Sequence, residues 1–340
     1  MTTRLADIVG LLEELGDLKR VRVAGRDGSL AEQAFRRAWG ALAAGTPPEE
    51  VAQTEIAAAV AATRLGGIDA AVLRAGGLAP GEIEAVLRRG LAAVAAPLDL
   101  STRQWLDEGL RRPPPAGGTG TAPPPADRAR TTPPPADRAR TTPPPADRAG
   151  TTPPPADRAG TTPPFVEALI AQPRAGATCP GRPRLMLEPP ESHGDHCWAV
   201  AVYGGLLAPR FAADRGEVFL TGLAHHLHNA VLPDSGSASE VLLGEYAAPL
   251  MRTLTAAQLR VLAEPLRGRV AAALDMIAAA EVPAARAFHA ADVLDRVLQM
   301  RHYARAAAFT LDQALDDLDL VHPGPVQPFH HKVLASAGLR

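Results

Sequence analysis

Four near-identical copies of a ten-residue unit, two of PPPADRARTT and two of PPPADRAGTT, run from Pro123 to Thr162, preceded by RRPPPAGGTGTA. Three successive prolines lack the N–H donors that a helix interior or a central strand requires, and they favour polyproline II. The other residues of the unit offer no apolar side chain larger than alanine to bury. Each copy carries one Asp and one or two Arg, so the stretch reads as a nearly neutral, extended and semi-rigid spacer with no packed core. It divides the chain into residues 1–112, a Pro-rich repeat linker over 113–164, and residues 165–340.

Both flanking segments read as helical. Hydrophobic residues make up 46% of the chain but aromatics only 4%. A core must therefore come mainly from Leu, Ala and Val, which favours helix packing. LADIVGLLEELGDL, SLAEQAFRRAWGALAAG, PPEEVAQTEIAAAVAATRLGG and APGEIEAVLRRGLAAVAAP repeat apolar residues at three- and four-residue spacing, and several begin at Ser or Pro and stop at Gly. Residues 1–112 are thus expected to form a small helical domain with Phe35, Trp39 and Trp105 in its core. The segment holds no His, no Cys and no Gly-rich phosphate loop. By elimination its expected role is interaction, with a protein partner, or regulation.

Charge excludes some functions. With 35 Lys and Arg against 37 Asp and Glu, the formal net charge is -2. Such a balance argues against a general nucleic-acid or membrane-surface binder. Cys179 and Cys197 form no CxxC pair, which suits a reducing compartment. The N-terminal stretch interrupts its apolar run with acids and does not read as a secretory signal, and no run approaches the roughly 20 apolar residues that cross a bilayer. The expected location is cytoplasmic.

All ten histidines lie beyond the linker, in a segment with expected helices at 194–208, 216–231, 237–251, 256–280, 284–308 and 310–318. Three groups stand out: His193, Asp195 and His196 in SHGDHCWAVAVYGGLLA; His225, His226 and His228 in LAHHLHNA; and His289, Asp292 and Asp295 in FHAADVLDRVLQM. Buried imidazoles and carboxylates left without partners cost roughly 1 to 3 kcal/mol apiece. A shared metal ion would satisfy several at once. If the second stretch stays helical, His225, His228 and Asn229 share a face. Trp198 and Tyr203, at helical spacing after His196, are expected in the core.

The order of these residues resembles the HD-domain superfamily of metal-dependent phosphohydrolases, over roughly residues 190–305. That pattern has a His, a consecutive His-Asp pair and a distant Asp, all on helices around one or two divalent ions. The resemblance implies an all-α, HD-like bundle in which His196, His225 and Asp292 are metal ligands. Where the family has the Asp of its pair, this chain has His226. A carboxylate can bridge two ions, whereas an imidazole offers a metal one lone pair at a time. No His occurs between residues 229 and 288, where dinuclear members place more ligands.

The resemblance therefore implies one divalent ion held by His196, His225, His226 and Asp292. A set of three nitrogens and one carboxylate favours Fe, Co, Ni or Zn over Mn or Mg. The implied reaction is hydrolysis of a small phosphorylated substrate, a phosphate ester or nucleotide. Asn229 and Asp234 fall where the smaller nucleotidase-like members keep acid and water-orienting groups. Because Asn cannot act as a base, the catalytic role falls to Asp234 or His228. A turn cap in PDSGS is the other reading of Asp234, and a supporting or core histidine the other reading of His228. Arg296, four residues after Asp292, can face a phosphate or pair with an acid. Two further functions stay open: a non-catalytic, degenerate HD module for signalling or protein contacts, and an HD-type iron oxygenase.

Overall fold

The computed structural model describes residues 4–112, 162–176, 188–279, 281–308 and 327–336. Apart from Thr162 to Pro164, the expected linker lies outside the described residues, as do Cys179 and the helix expected at 310–318. Among the described residues there are helices and two isolated bridges, Arg22 with Ser29 and Pro173 with Ser192. The all-α expectation holds.

Before the linker run α1 (Leu5–Asp17), α2 (Leu30–Ala43), α3 (Pro48–Leu65), α4 (Ala70–Ala75), α5 (Pro80–Ala92) and α6 (Leu100–Arg111). Their starts follow local chemistry. Ser29 caps α2 with a full capping box, its Oγ accepting from Glu32 N at 2.9 Å while Ser29 N donates to Glu32 Oε2 at 2.8 Å. Proline opens α3 and α5, and Asp69 and Asp99 cap α4 and α6.

After the linker come α7 (Pro164–Ala171), α8 (His193–Leu207), α9 (Arg215–Ala224), α10 (Ser237–Leu243), α11 (Ala247–Leu259), α12 (Leu266–Met276), α13 (Pro283–Ala308) and α14 (Gln327–Ser336). The expected helix 216–231 is broken. α9 ends at Ala224, His226 takes φ −107° and ψ 21°, and a short 3-10 turn covers Leu227–Ala230. The expected helix 237–251 is likewise interrupted at Gly244, whose φ is 52°. The expected 256–280 helix is split, with Pro265 immediately ahead of α12.

Helix α8 is buried along its whole length, from His193 to Leu207. A helix apolar on all sides belongs in the centre of a bundle, and α9, α13, α2, α7, α3 and α1 pack around this one. Small residues bring the neighbours close. Gly205 faces Ile56 of α3, and Gly222 of α9 lies so near α8 that a Cβ there would sit 2.5 Å from Ala201 Cα.

This packing corrects the expectation of two separate domains. One continuous core runs from Leu12, Phe35, Trp39 and Ile56 through Phe165 to Trp198, Phe219 and Phe288. Phe35 and Trp39 sit in it as expected, and so do Trp198 and Tyr203. Tyr203 donates its hydroxyl to Leu12 O at 2.5 Å, tying α8 to α1. α8 of the second segment is covered by α1, α2 and α3 of the first as well as by α9 and α13.

Gly222→Ala tests this packing. The added methyl must push α9 off α8, and overpacking of this kind costs about 1 to 3 kcal/mol. Thermal unfolding should show a melting temperature several degrees lower. An unchanged melt would mean that the two helices are not in backbone contact.

Candidate metal centre

The break after His225 makes the site. Consecutive residues of a continuous helix point about 100° apart. His225 instead closes α9 as its C-cap, and His226 turns through a sparsely populated backbone region. Their ring centroids consequently lie 4.3 Å apart, and both approach His196 of α8, at 5.1 and 5.2 Å. One ligand nitrogen from each of His196, His225 and His226 falls within 4.8 Å of the other two.

The outer nitrogens fix which ring atom is free. His196 Nδ1 donates to Asp295 Oδ2 at 2.7 Å, and His225 Nδ1 to the Gly222 carbonyl at 2.7 Å. His226 Nδ1 donates to Asn229 Oδ1 at 2.8 Å, with the amide oriented by its own donation to Leu232 O at 3.0 Å. A carbonyl only accepts, so His225 carries its proton on Nδ1 and its Nε2 is a bare lone pair. The same logic applies to His226 and, through a carboxylate, to His196. Oxygen acceptors behind metal-binding histidines are the usual way of setting tautomer and orientation.

His196 Nε2 and His225 Nε2 face each other at 3.2 Å, and Asp292 Oδ1 lies 3.4 Å from His196 Nε2. Two lone pairs at that separation repel unless a cation or proton lies between them. Bonds of about 2.0 to 2.1 Å in a tetrahedral site put neighbouring ligand atoms roughly 3.3 to 3.4 Å apart. The His196–His225 and His196–Asp292 spacings match that value, while the group whose ligand atoms all lie within 4.8 Å of one another comprises His196, His225 and His226 without Asp292.

Helix α13 supplies the carboxylates. Asp292 and Asp295, three apart, flank His196 at its two nitrogens. The other Asp292 oxygen takes Arg296 at 2.9 Å, so Arg296 is ion-paired and does not face the centre alone. Burial opposes the charge on Asp292, yet its His196, His225 and Arg296 neighbours favour the carboxylate and hold it down at about 2. His289 is exposed and binds Ile277 O, away from the cluster.

The remaining expected residues surround the histidines. His228 is half-buried with its ring 5.6 Å from His226. Asp234 Oδ2 accepts from Ala175 N at 2.9 Å and Oδ1 from Gly236 N at 2.9 Å, which is the turn-capping arrangement. The shared face expected for His225, His228 and Asn229 is absent, because the helix stops. Asn229 holds His226 through its Oδ1. Asp195 closes a capping box with Ser192 and accepts from Ser29 of the N-terminal segment. Burial, with Glu32 nearby, lifts its carboxyl to about 7.

His193, from the first histidine group, and Arg174, which the sequence did not single out, lie beside the cluster. His193 is 1% exposed, and neither ring nitrogen has a hydrogen-bond partner. Its ring lies 4.8 Å from that of His226, and Asp234 Oδ2 is 3.6 Å from its Nε2. Arg174 has one buried guanidinium nitrogen, Nη1, without a partner. Its charge helps to disfavour protonation of His193, His225 and His226. Cys197 is no competitor as a ligand, since burial pushes its thiol up and keeps it protonated.

A model of the HD domain family matches residues 166–318. That segment is an HD domain. No curated protein and no solved structure gave a significant match. HD domains bind divalent metals, and the family is one of metal-dependent phosphohydrolases. The HD match contains the three histidines, both aspartates and Arg174, and stops short of α1 to α6. No helix among the described residues is long and apolar enough to cross a membrane.

The HD domain's histidines impose a pH dependence. Burial and then the charge of Arg174 hold His193 at about 2, and burial holds His225 at about 3. In the unfolded chain both titrate near 6.5, so the unfolded state binds more protons once the pH falls below that value. Stability should then drop, by at most about 1.4 kcal/mol per pH unit for each histidine. The chelator-treated protein should melt progressively lower from pH 6.5 to 5, and a flat profile would contradict the buried neutral rings.

Proposed function

We propose that the HD domain is a metal-dependent phosphohydrolase acting on a phosphate ester or nucleotide. The observation that carries this reading is the convergence of one ring nitrogen from each of three histidines, with every Nδ1 engaged by an oxygen, beside the buried, unpartnered Nη1 of Arg174. His196, His225, His226 and Asp292 would hold one divalent ion. Such an ion supplies a Lewis acid for a phosphoryl oxygen and lowers the pKa of bound water toward neutrality.

The chain's own groups divide the rest of the work. Arg174 offers a fixed, always charged fork for phosphoryl oxygens. Asp234 anchors the backbone next to it through Ala175 N, so its part is to position Arg174. His228, kept neutral by burial against the pull of Asp234, is the group proposed to accept the proton of the attacking water. Phe288, its ring 5.1 Å from that of His225, and the buried Leu223 and Leu227 that flank the His225–His226 pair in sequence give the cluster apolar neighbours.

Three nitrogens and one carboxylate point to Fe, Co, Ni or Zn rather than Mn or Mg. His226 is the residue that decides this. His226→Ala should abolish stoichiometric metal binding, and His226→Asp should restore a two-His, two-Asp set and shift preference toward Mn or Mg. Metal content of the three proteins under identical loading checks both. Equal occupancy in all three would remove His226 from the ligand set and favour the degenerate, non-catalytic module.

A panel of phosphate monoesters and nucleotides, assayed with each divalent metal, tests the reaction. Arg174→Ala should lower kcat/KM by about 10²-fold, the typical cost of losing one donor that meets developing charge, while leaving metal content intact. Stoichiometric metal with no hydrolysis of any phosphate in the panel would contradict the proposed activity.

A further inference from the structure

We propose that Lys19, from the segment before the proline repeat, is a positioning residue for the His196 imidazole and acts through Asp295. The inference rests on His196 being a metal ligand, as argued above. Lys19 lies just beyond α1, and its Nζ donates to Asp295 Oδ1 at 2.8 Å and to Glu191 Oε2 at 3.1 Å. The other oxygen of Asp295 accepts from His196 Nδ1 at 2.7 Å. The side chains of Lys19, Asp295, Glu191 and His196 are 1%, 1%, 2% and 0% exposed.

Each Asp295 oxygen thus has one strong partner, on opposite sides. The carboxylate cannot swing away from His196 without giving up its bond to Lys19, so the lysine locks the plane in which His196 is held. Arg20 completes a balanced set, pairing with Glu191 Oε1 at 2.8 Å, so that two cations meet two carboxylates. Stability alone does not explain the arrangement. Buried ion pairs often contribute no more than apolar residues of the same volume, and the surrounding core is rich in Leu, Ala and Val. What an apolar group could not do is hold a carboxylate in one orientation behind a metal ligand.

The N-terminal segment then has a role in the metal centre, although it contributes no ligand. Substituting the partners behind a ligand typically weakens metal affinity 10- to 100-fold.

Full-length protein is tested by chelator competition with Zn(II), and by the visible spectrum of the Co(II) form. Lys19→Met should weaken Zn(II) binding by about tenfold, the low end of that range, and alter the Co(II) spectrum. Glu191→Gln is the control, because it disturbs the same buried network while an amide oxygen can still accept from Lys19, and Asp295 keeps both partners. It should leave affinity and spectrum unchanged. If Lys19→Met does not fold, the double variant Lys19→Met/Glu191→Gln removes one charge of each sign and still deprives Asp295 of its lysine, so it should show the same tenfold loss. Equal effects of Lys19→Met and Glu191→Gln, or wild-type affinity in the foldable Lys19 variant, would overturn the proposal. A wild type that binds no metal would instead end the His196 reading itself, and Lys19's role with it.

Discussion

His196 has no solvent exposure, so both of its ring nitrogens must find partners inside the protein. Nδ1 finds Asp295, and the demand passes outward, because a carboxylate with 1% exposure needs a cation. Lys19 meets it, and Glu191 and Arg20 then close the charge balance. Nε2 faces the other way, toward the lone pair of His225 and the carboxylate of Asp292, where a positive ion is the natural partner. The packing of residues from both sides of the linker follows from this one buried imidazole as much as from apolar burial.

Position and chemistry reinforce one another around α8. A helix buried on all sides can carry a polar residue only if its neighbours answer it, and α13 does so with two carboxylates three residues apart. α9 does so by stopping. Had it continued through His226, the two adjacent imidazoles would diverge, and no common point would exist for their nitrogens. The sharp turn at His226 brings them together, and Asn229 locks the second ring.

Much of this was legible in the sequence. The helices followed from apolar spacing, the HD resemblance from the order of His196, His225 and Asp292, and the convergence of His196, His225 and His226 matches that order. What local pattern could not show was the helix end at Ala224, since LAHHLHNAVL has neither Gly nor Pro to mark a stop. Lys19 and Arg174 were missed for another reason. Lys19 meets Asp295 across 276 positions of chain, and Arg174 sits in an irregular stretch after α7, so no short motif encloses either. Asp295 carried a faint signal, three residues after Asp292 on the same helix face. The separation into two domains was misread because a linker without apolar residues marks a gap in the chain and says nothing of how its flanks pack.

His196, His225 and His226, each with its Nδ1 engaged by an oxygen, are proposed to hold one divalent ion together with Asp292. X-ray absorption at the metal edge, on full-length protein loaded with one equivalent of Zn(II), tests it most directly. The account expects a shell dominated by imidazole nitrogen at about 2.0 to 2.1 Å, with outer-ring scattering from three imidazoles and one oxygen ligand. A first shell of oxygen alone, or one containing sulfur from a cysteine, would contradict it.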